Sequence, residues 1–206
     1  MDYLPDRADA RASASGLADV LAAFHDWMVG KQTLAARNAD WACKAKISII
    51  AHSMGNFLLQ HAMQTVWTRK NRPLLLCLIN QLIMVAADVD NDLFDSGEKV
   101  TGTDGDAIAN LTYRITSLYS GRDTVLGMSA GLKHFGKRRL GRSGFSDPDP
   151  RKLPDNVWQV DCSELFGKTT NPHSAYFDSP RVYQLMRDIL MGLDRGQIDL
   201  DPKPTR

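Results

Sequence analysis

The sequence predicts an α/β protein with a mainly parallel sheet and helices on both of its faces. Segments rich in aliphatic and β-branched residues recur along the chain, and most are followed by a segment with helical periodicity. Two of them, at 46–51 and 82–87, are almost continuously apolar, which is typical of parallel strands covered on both faces. Strands that alternate with helices in this way build parallel sheets.

The first part of the chain is predicted to form a helix, a strand and a second helix. Apolar side chains recur at helical spacing over residues 7–29, and Gly30 is the expected end of that helix. The polar segment 31–44 leads to the strand at 46–51, "KISIIA", and a helical pattern then covers 54–69. The strand and the second helix are so close in sequence that only a sharp turn can join them.

The second part of the chain repeats this alternation of strands and helices. Strands are predicted at 82–87, 113–119 and 157–160, from their apolar or β-branched content. Helices are predicted at 105–113 and 180–193, and the last of these has a clear apolar face.

Four segments carry no regular pattern. The apolar residues 74–81 do not distinguish strand from helix, and 121–124 form the loop after the third strand. Residues 131–155 are rich in Gly, Pro and basic side chains, which predicts a surface loop, and the tail at 199–206 is expected to be disordered. Because no linker or internal repeat divides the chain, residues 1–206 are expected to form one domain.

The composition excludes several classes of function. Hydrophobic residues make up 43% of the chain, charged residues make up 24%, and the net charge is +1, so neither nucleic acid nor an anionic membrane is an expected partner. No apolar run approaches the roughly 20 residues of a membrane span, and no signal peptide is recognisable. The expected location is therefore the cytoplasm. The cysteines fit neither a zinc site nor a disulfide framework.

The junction of the first strand and the second helix, "AHSMG", has the pattern of a nucleophile elbow. Ser53 lies where the strand must turn, and Ala51 and Gly55, two positions before and after it, are small enough for a sharp turn. Such a turn brings a side chain to the N-terminus of a helix, where free N–H groups and the helix dipole favour negative charge. Ser53 is a candidate nucleophile; the alternative is that it only caps the helix.

A serine hydroxyl needs a base, and the base needs an orienting group. In the chain order nucleophile, acid, base, Asp123 in the loop after the third strand is the candidate acid. His173, in the Pro-containing loop "NPHSAYF" after the fourth strand, is the candidate base. Asp88, directly after the second strand, is the alternative acid. Asp90 and Asp92 are expected to be solvated carboxylates or helix caps.

The other histidines are expected to have different roles. His25 lies within the first helix and is expected to be structural. His52 precedes the candidate nucleophile and is expected to shape the pocket. His61 is expected to contact its own helix or the core, and His134, in a basic stretch, is expected to be solvated.

Together these motifs resemble the α/β-hydrolase superfamily, and in particular an uncharacterised, mainly bacterial family of esterase/lipase-like proteins classed as a domain of unknown function. The resemblance rests on "IAHSMGN", "VAADVDNDLF", "LYSGRDTVLGMS", "RRLG", "VDCSELFG" and "HSAYFDSP", whose order and spacing extend over most of the chain. It implies an α/β-hydrolase fold with Ser53 as nucleophile, Asp123 as acid and His173 as base.

The resemblance also implies a missing segment. In that family a strand with a His-Gly turn lies upstream and donates one N–H group to the oxyanion hole, and no part of this chain resembles it. The chain is therefore expected to be an N-terminally truncated hydrolase in which the Met54 N–H is the remaining donor. Without an upstream neighbour, the strand at 46–51 would form an exposed apolar edge, which favours self-association.

The expected activity is hydrolysis of a carboxylic ester or related acyl bond in a small-molecule substrate, with no metal or organic cofactor. Two alternatives stay open. A degenerate, non-catalytic domain of the same fold could bind an anionic partner through the basic stretch Lys133–Arg142, although such a stretch is more often a solvated loop. An acyltransferase would use the same three residues.

Overall fold

The computed structural model describes residues 3–41, 45–70, 77–95, 104–133, 136–147, 149, 152–167 and 172–198. Within these residues, four strands form one sheet in the order β1-β2-β3-β4, and all neighbouring strands are parallel. The strands are β1 (Ser48–His52), β2 (Ile79–Val85), β3 (Thr112–Tyr119) and β4 (Val157–Asp161). This sheet confirms the predicted fold class. The tail predicted to be disordered, 199–206, lies outside the described residues.

Helices cover both faces of the sheet. They are α1 (Tyr3–Ala35), α2 (Met54–Lys70), α3 (Asp104–Leu111), α4 (Thr124–Lys133), α5 (Leu140–Ser143) and α6 (Pro180–Leu190). Side chains of α1, α2 and α3 join Leu82 and Met84 of β2 in one buried cluster, whereas α6 joins Ile83 and Val85 in a second. Successive side chains of a strand point to opposite faces, so β2 has a helical layer on each side.

None of the helices in the described part of the chain is long and apolar enough to cross a membrane.

The first helix is longer than the sequence predicts. The prediction ended it at Gly30, whereas α1 continues to Ala35. Glycine inside a helix costs only about 1 kcal/mol relative to alanine, so a single glycine does not end a helix. The additional turn lies near the start of β1, since Lys31, Gln32 and Ala35 line a pocket together with Ala45 and Ile47.

The strand that precedes Ser53 lies at one edge of the described sheet and pairs there with β2. The prediction that this strand is covered on both faces is wrong, because Ser48 is exposed and Ile50 is 42% exposed. Ala51, next to the elbow, is buried. β1 therefore presents apolar surface along a sheet edge, the arrangement that favours pairing with another chain.

The segment predicted as a surface loop, 131–155, is only partly a loop. It contains the single helical turn α5, and the side chain of Arg139 just before that turn has no exposed surface. Lys137 and Arg138 are exposed, as expected for a basic loop. The prediction of a solvated basic stretch is therefore wrong for Arg139, because carboxylates from another loop pair with its guanidinium group inside the protein.

Candidate active site

Ser53 occupies the turn between β1 and α2 in a strained backbone conformation. Its φ is +51°, in the left-handed region that residues other than glycine rarely adopt. The Ser53 N–H donates to the carbonyl of Val85 at 3.0 Å, and the Ser53 carbonyl accepts from the N–H of Asp88 at 3.2 Å. These bonds to the end of β2 hold the serine in its strained conformation at the carboxyl edge of the sheet.

Asn56 also holds this turn, and sequence reasoning missed it. Its buried side chain donates from Nδ2 to the carbonyl of Ala51 at 2.8 Å and lies 3.2 Å and 3.3 Å from the carbonyls of Ser53 and Val85. One amide group thus joins the end of β1, the turn and the end of β2. The only sequence feature that could have indicated this role is the presence of an asparagine in the first turn of a largely apolar helix. A polar side chain that is buried there needs hydrogen-bond partners.

The structure brings together the three residues that the sequence singled out. Nε2 of His173 lies 3.0 Å from Oγ of Ser53, and Nδ1 of His173 lies 2.8 Å from Oδ2 of Asp123. An ionised carboxylate only accepts hydrogen bonds, so the proton of the neutral imidazole is on Nδ1. Nε2 can then accept the proton of the serine hydroxyl. Asp123 has no exposed surface and His173 is 9% exposed, so water does not screen this pair.

The carboxylate of Asp123 is oriented by the start of α4. Its Oδ1 accepts from the N–H of Leu126 at 2.9 Å, in the manner of a helix N-cap, which leaves Oδ2 for His173. The Asp123 N–H donates to the carbonyl of Ser120 at 3.0 Å. The carbonyl of Asp123 accepts from Nη1 of Arg142. Both oxygens of the carboxylate and both polar groups of the Asp123 backbone therefore have partners.

His52 contacts the loop that carries His173. Its Nε2 lies 2.8 Å from the carbonyl of His173, and because a carbonyl only accepts, Nε2 of His52 is the donor. The two imidazole rings are 5.0 Å apart, and the ring of Phe177 meets His52 edge-on at 5.5 Å. Burial lowers the pKa of His52 from its ordinary value, which favours the neutral ring.

The alternative acid, Asp88, pairs with a different residue. It is buried, and its Oδ1 lies 3.1 Å from Nε of Arg139 and accepts from Oγ of Ser129 at 3.3 Å. Its Oδ2 lies 4.0 Å from Nη1 of Arg7. The structure therefore places Asp123, and not Asp88, against the imidazole of His173.

The neighbouring carboxylates differ in exposure. Asp90 forms an ion pair with Arg139 and a second with Lys137, so the prediction that it is simply solvated is wrong. Asp92 has a 48% exposed side chain, 3.8 Å from Nζ of Lys137, and is solvated as predicted.

The described histidines other than His52 and His173 contact residues close to them in sequence. Nδ1 of His25, a buried residue of α1, lies 3.2 Å from the carboxylate of Asp26. The ring of His61 packs edge-on against Phe57, one turn earlier in α2, with the ring centres 4.3 Å apart. His134 lies outside the described residues.

The N-terminus of α2 provides the candidate oxyanion donor. Met54 is the first residue of that helix, so its N–H is one of the groups without a partner inside the helix. The positive end of the helix dipole also lies beside Ser53. Among the residues that the structure describes, no group of three or more His, Cys, Asp or Glu side chains is arranged to hold a metal ion.

A comparison with known protein families matches residues 1–189 to the family described as "Alpha/beta hydrolase of unknown function (DUF900)". This match confirms the family resemblance inferred from the motifs. No curated protein and no solved structure matches the chain.

Proposed function

The chain belongs to the family of alpha/beta hydrolases of unknown function, and we propose that it is a serine hydrolase of the esterase type. In this proposal it cleaves a carboxylic ester or a related acyl bond through an acyl-serine intermediate. The observation that carries the proposal is the line of contacts from Oγ of Ser53 to Nε2 of His173, 3.0 Å, and from Nδ1 of His173 to Oδ2 of Asp123, 2.8 Å. A nucleophile, a base and an orienting carboxylate in this arrangement support acyl transfer.

The first half of the reaction acylates the serine. Nε2 of His173 takes the hydroxyl proton as Oγ of Ser53 forms a bond to the acyl carbon. The resulting tetrahedral oxyanion faces the N–H of Met54, and the carboxylate of Asp123 stabilises the imidazolium. His173 then gives its proton to the leaving oxygen, the bond from that oxygen to the acyl carbon breaks, and an alcohol departs.

The second half releases the acid. A water molecule loses a proton to Nε2 of His173 and attacks the acyl carbon of the acyl-serine. The bond to Oγ breaks, the proton returns to Oγ, and the carboxylic acid leaves. If another alcohol or a thiol took the place of water, the same steps would transfer the acyl group, so product analysis with competing acceptors separates hydrolase from acyltransferase.

A non-catalytic binding domain is the weaker alternative. In that alternative the basic stretch Lys133–Arg142 would contact an anionic partner. Arg139 is buried in ion pairs with Asp88 and Asp90, which removes one of the cations that such a partner would contact.

A fluorophosphonate probe tests the proposal because it reacts with an activated serine and needs no knowledge of the substrate. We expect the wild-type protein to be labelled and to hydrolyse p-nitrophenyl acetate, and Ser53→Ala to lose both activities. Ser15→Ala is the matched control, since Ser15 is an exposed residue of α1. Labelling that survives Ser53→Ala, or a wild-type protein inert to both reagents, would contradict the proposal.

A further inference from the structure

Residues Arg139–Ser143, which we call the bracket segment, lie between two loops at the carboxyl edge of the sheet. On one side, the N–H of Leu140 donates to the carbonyl of Val89 at 3.0 Å, and the N–H of Gly141 donates to the carbonyl of Ala87 at 2.9 Å. These carbonyls belong to the loop after β2. The bracket segment is therefore hydrogen-bonded to the loop whose Asp88 N–H holds the carbonyl of the candidate nucleophile.

On its other side, the bracket segment holds the loop of the candidate acid. The N–H of Ser120, at the end of β3, donates to the carbonyl of Gly141 at 3.0 Å. The guanidinium group of Arg142 donates from Nη1 to the carbonyl of Asp123. The same guanidinium lies over Gly127, where an added Cβ would be 2.7 Å from Nη1. A side chain at position 127 would therefore displace the guanidinium group from this place.

Glycine is also needed at the centre of the bracket segment. A Cβ on Gly141 would overlap the backbone of Ala86 and Ala87. Ala86 itself has a positive φ of 43°, so the chain turns sharply where the two segments meet. Backbone can approach backbone this closely only without a side chain.

Arg139 fixes the start of the bracket segment. Its side chain has no exposed surface, its Nε lies 3.1 Å from Oδ1 of Asp88, and its Nη1 donates to Oδ1 of Asp90. Breaking a buried ion pair leaves an uncompensated charge, so the segment cannot slide along the loop after β2 without a large loss of stability.

We propose that the bracket segment positions the acid relative to the nucleophile, and that Arg142 is the positioning residue for Asp123. The proposal rests on the proposed function, because it assigns Arg142 a role in that same reaction. Arg142 touches neither the serine nor the imidazole in the contacts described above. It acts by holding the carbonyl of Asp123, so that the carboxylate of this residue stays aimed at Nδ1 of His173.

The first test compares two neighbouring arginines. Arg142→Ala should lower the second-order rate of fluorophosphonate labelling by about 10- to 100-fold, since a misplacement of about 1 Å can have an effect of this size. Added guanidinium ion should restore part of the rate by filling the vacated site, whereas urea at the same concentration should not. Arg138→Ala, which removes an exposed arginine, should label at the wild-type rate. An unchanged rate for Arg142→Ala overturns the proposal.

The second test does not depend on activity. The proton on Nδ1 of His173, bonded to the carboxylate of Asp123, should give a far-downfield signal in the proton NMR spectrum of the wild-type protein. We expect this signal to be lost in Arg142→Ala and retained in Arg138→Ala. Its absence from the wild type, or its persistence in Arg142→Ala, overturns the proposal.

The two tests separate this proposal from the proposed function. The wild-type protein could give the downfield NMR signal, and lose it in Arg142→Ala, without reacting with the fluorophosphonate. That outcome would support the positioning role of Arg142 and contradict the proposed serine hydrolase activity. If Arg142→Ala does not fold, Gly127→Ala decides, because the atoms nearest to its Cβ would all be side-chain atoms of Arg142, and it should therefore displace the guanidinium group and weaken the same signal. Gly16→Ala is its control, since a Cβ on Gly16 meets no atom within 4 Å in the described part of the chain. A wild-type signal in Gly127→Ala then overturns the proposal.

Discussion

Nε2 of His52 donates to the backbone carbonyl of His173 at 2.8 Å, so the residue before the candidate nucleophile holds the loop of the candidate base. The rings of the two histidines also lie 5.0 Å apart. Loss of this donor should therefore displace the imidazole of His173 from the serine.

We expect His52→Leu to lower kcat for p-nitrophenyl acetate by about 5-fold, the effect of one lost hydrogen bond of about 1 kcal/mol. His52→Gln should retain part of that rate, because its amide nitrogen can take the place of Nε2. KM and kcat measured for both variants test this. Equal kcat values for the leucine and glutamine variants would show that the donor does not matter.

The lowered pKa of His52 makes the stability of the fold depend on pH. In the unfolded chain this group titrates near its ordinary pKa of about 6.5, so below that pH the unfolded state binds a proton that the folded state binds less readily. This loss of stability is absent well above the unfolded pKa, grows as the pH falls from the unfolded to the lower folded pKa, and is constant below the folded pKa. Urea unfolding at neutral pH and at a pH below the ordinary histidine pKa tests this. Between these two conditions, we expect the free energy of unfolding to fall more for the wild type than for His52→Gln. Equal decreases in the free energy of unfolding of the wild type and His52→Gln would contradict this prediction.

The carboxylate of Asp123 both orients His173 and caps the N-terminus of α4, and two substitutions can separate these roles. Asp123→Asn keeps an oxygen for the N–H of Leu126 but loses the charge that orients and stabilises His173. We expect kcat to fall by about four orders of magnitude, the effect seen when a triad aspartate becomes asparagine in another serine hydrolase. Asp123→Ala should be less stable than Asp123→Asn by about 0.5–2 kcal/mol, because it also loses the helix cap. Enzyme kinetics and urea unfolding measure the two effects, and equal stabilities would argue against the cap.

The ion pair of Arg139 and Asp88 should contribute far more to stability than an exposed one. We expect Arg139→Met to lower the free energy of unfolding by about 3–5 kcal/mol, because the buried carboxylate of Asp88 loses its nearer ion-pair partner and keeps only Arg7, 4.0 Å away. Lys137→Met is the control, and since Lys137 is 61% exposed, its loss should cost at most about 1 kcal/mol. Adding Asp88→Asn to Arg139→Met should recover part of the loss. Similar free energies of unfolding for Arg139→Met and Lys137→Met would be evidence against a buried ion pair between Arg139 and Asp88.

The exposed edge of β1 should promote self-association. We expect Ile50→Lys to reduce the fraction of dimers and larger species in gel filtration at high protein concentration, because a charge on an edge strand opposes pairing with another chain. Tyr183→Lys adds the same charge to an exposed position of α6 and should leave the elution profile unchanged. If both variants elute like the wild type, self-association does not take place through the edge of β1.

The elements around the candidate nucleophile could be predicted because their patterns are local. An apolar strand, small residues on either side of Ser53 and helical spacing after it are each properties of a few consecutive residues. The structure has β1 ending at His52 and α2 beginning at Met54, close to the predicted bounds. The loops of Asp123 and His173 could also be placed at one edge, since parallel strands end on the same side of a sheet.

The position of Arg139 could not be predicted in this way. A run of Lys and Arg usually lies in solvent, because burying a charge without a partner is costly. The partners of Arg139 lie in the loop after β2, and Asp90 is 49 residues earlier in the chain. The same limit applies to Arg142, whose only described role depends on where the chain brings it next to Asp123.

By itself, the sequence determined the four strands approximately, the helices other than α4 and α5, and the serine at a sharp turn, because periodicity and side-chain size act between near neighbours. Only the tertiary structure decided that Asp123 rather than Asp88 meets His173, that Ile50 of β1 is exposed, and that Arg139 is buried. These outcomes depend on packing and on charge pairing between residues far apart in the chain, and no local pattern records them.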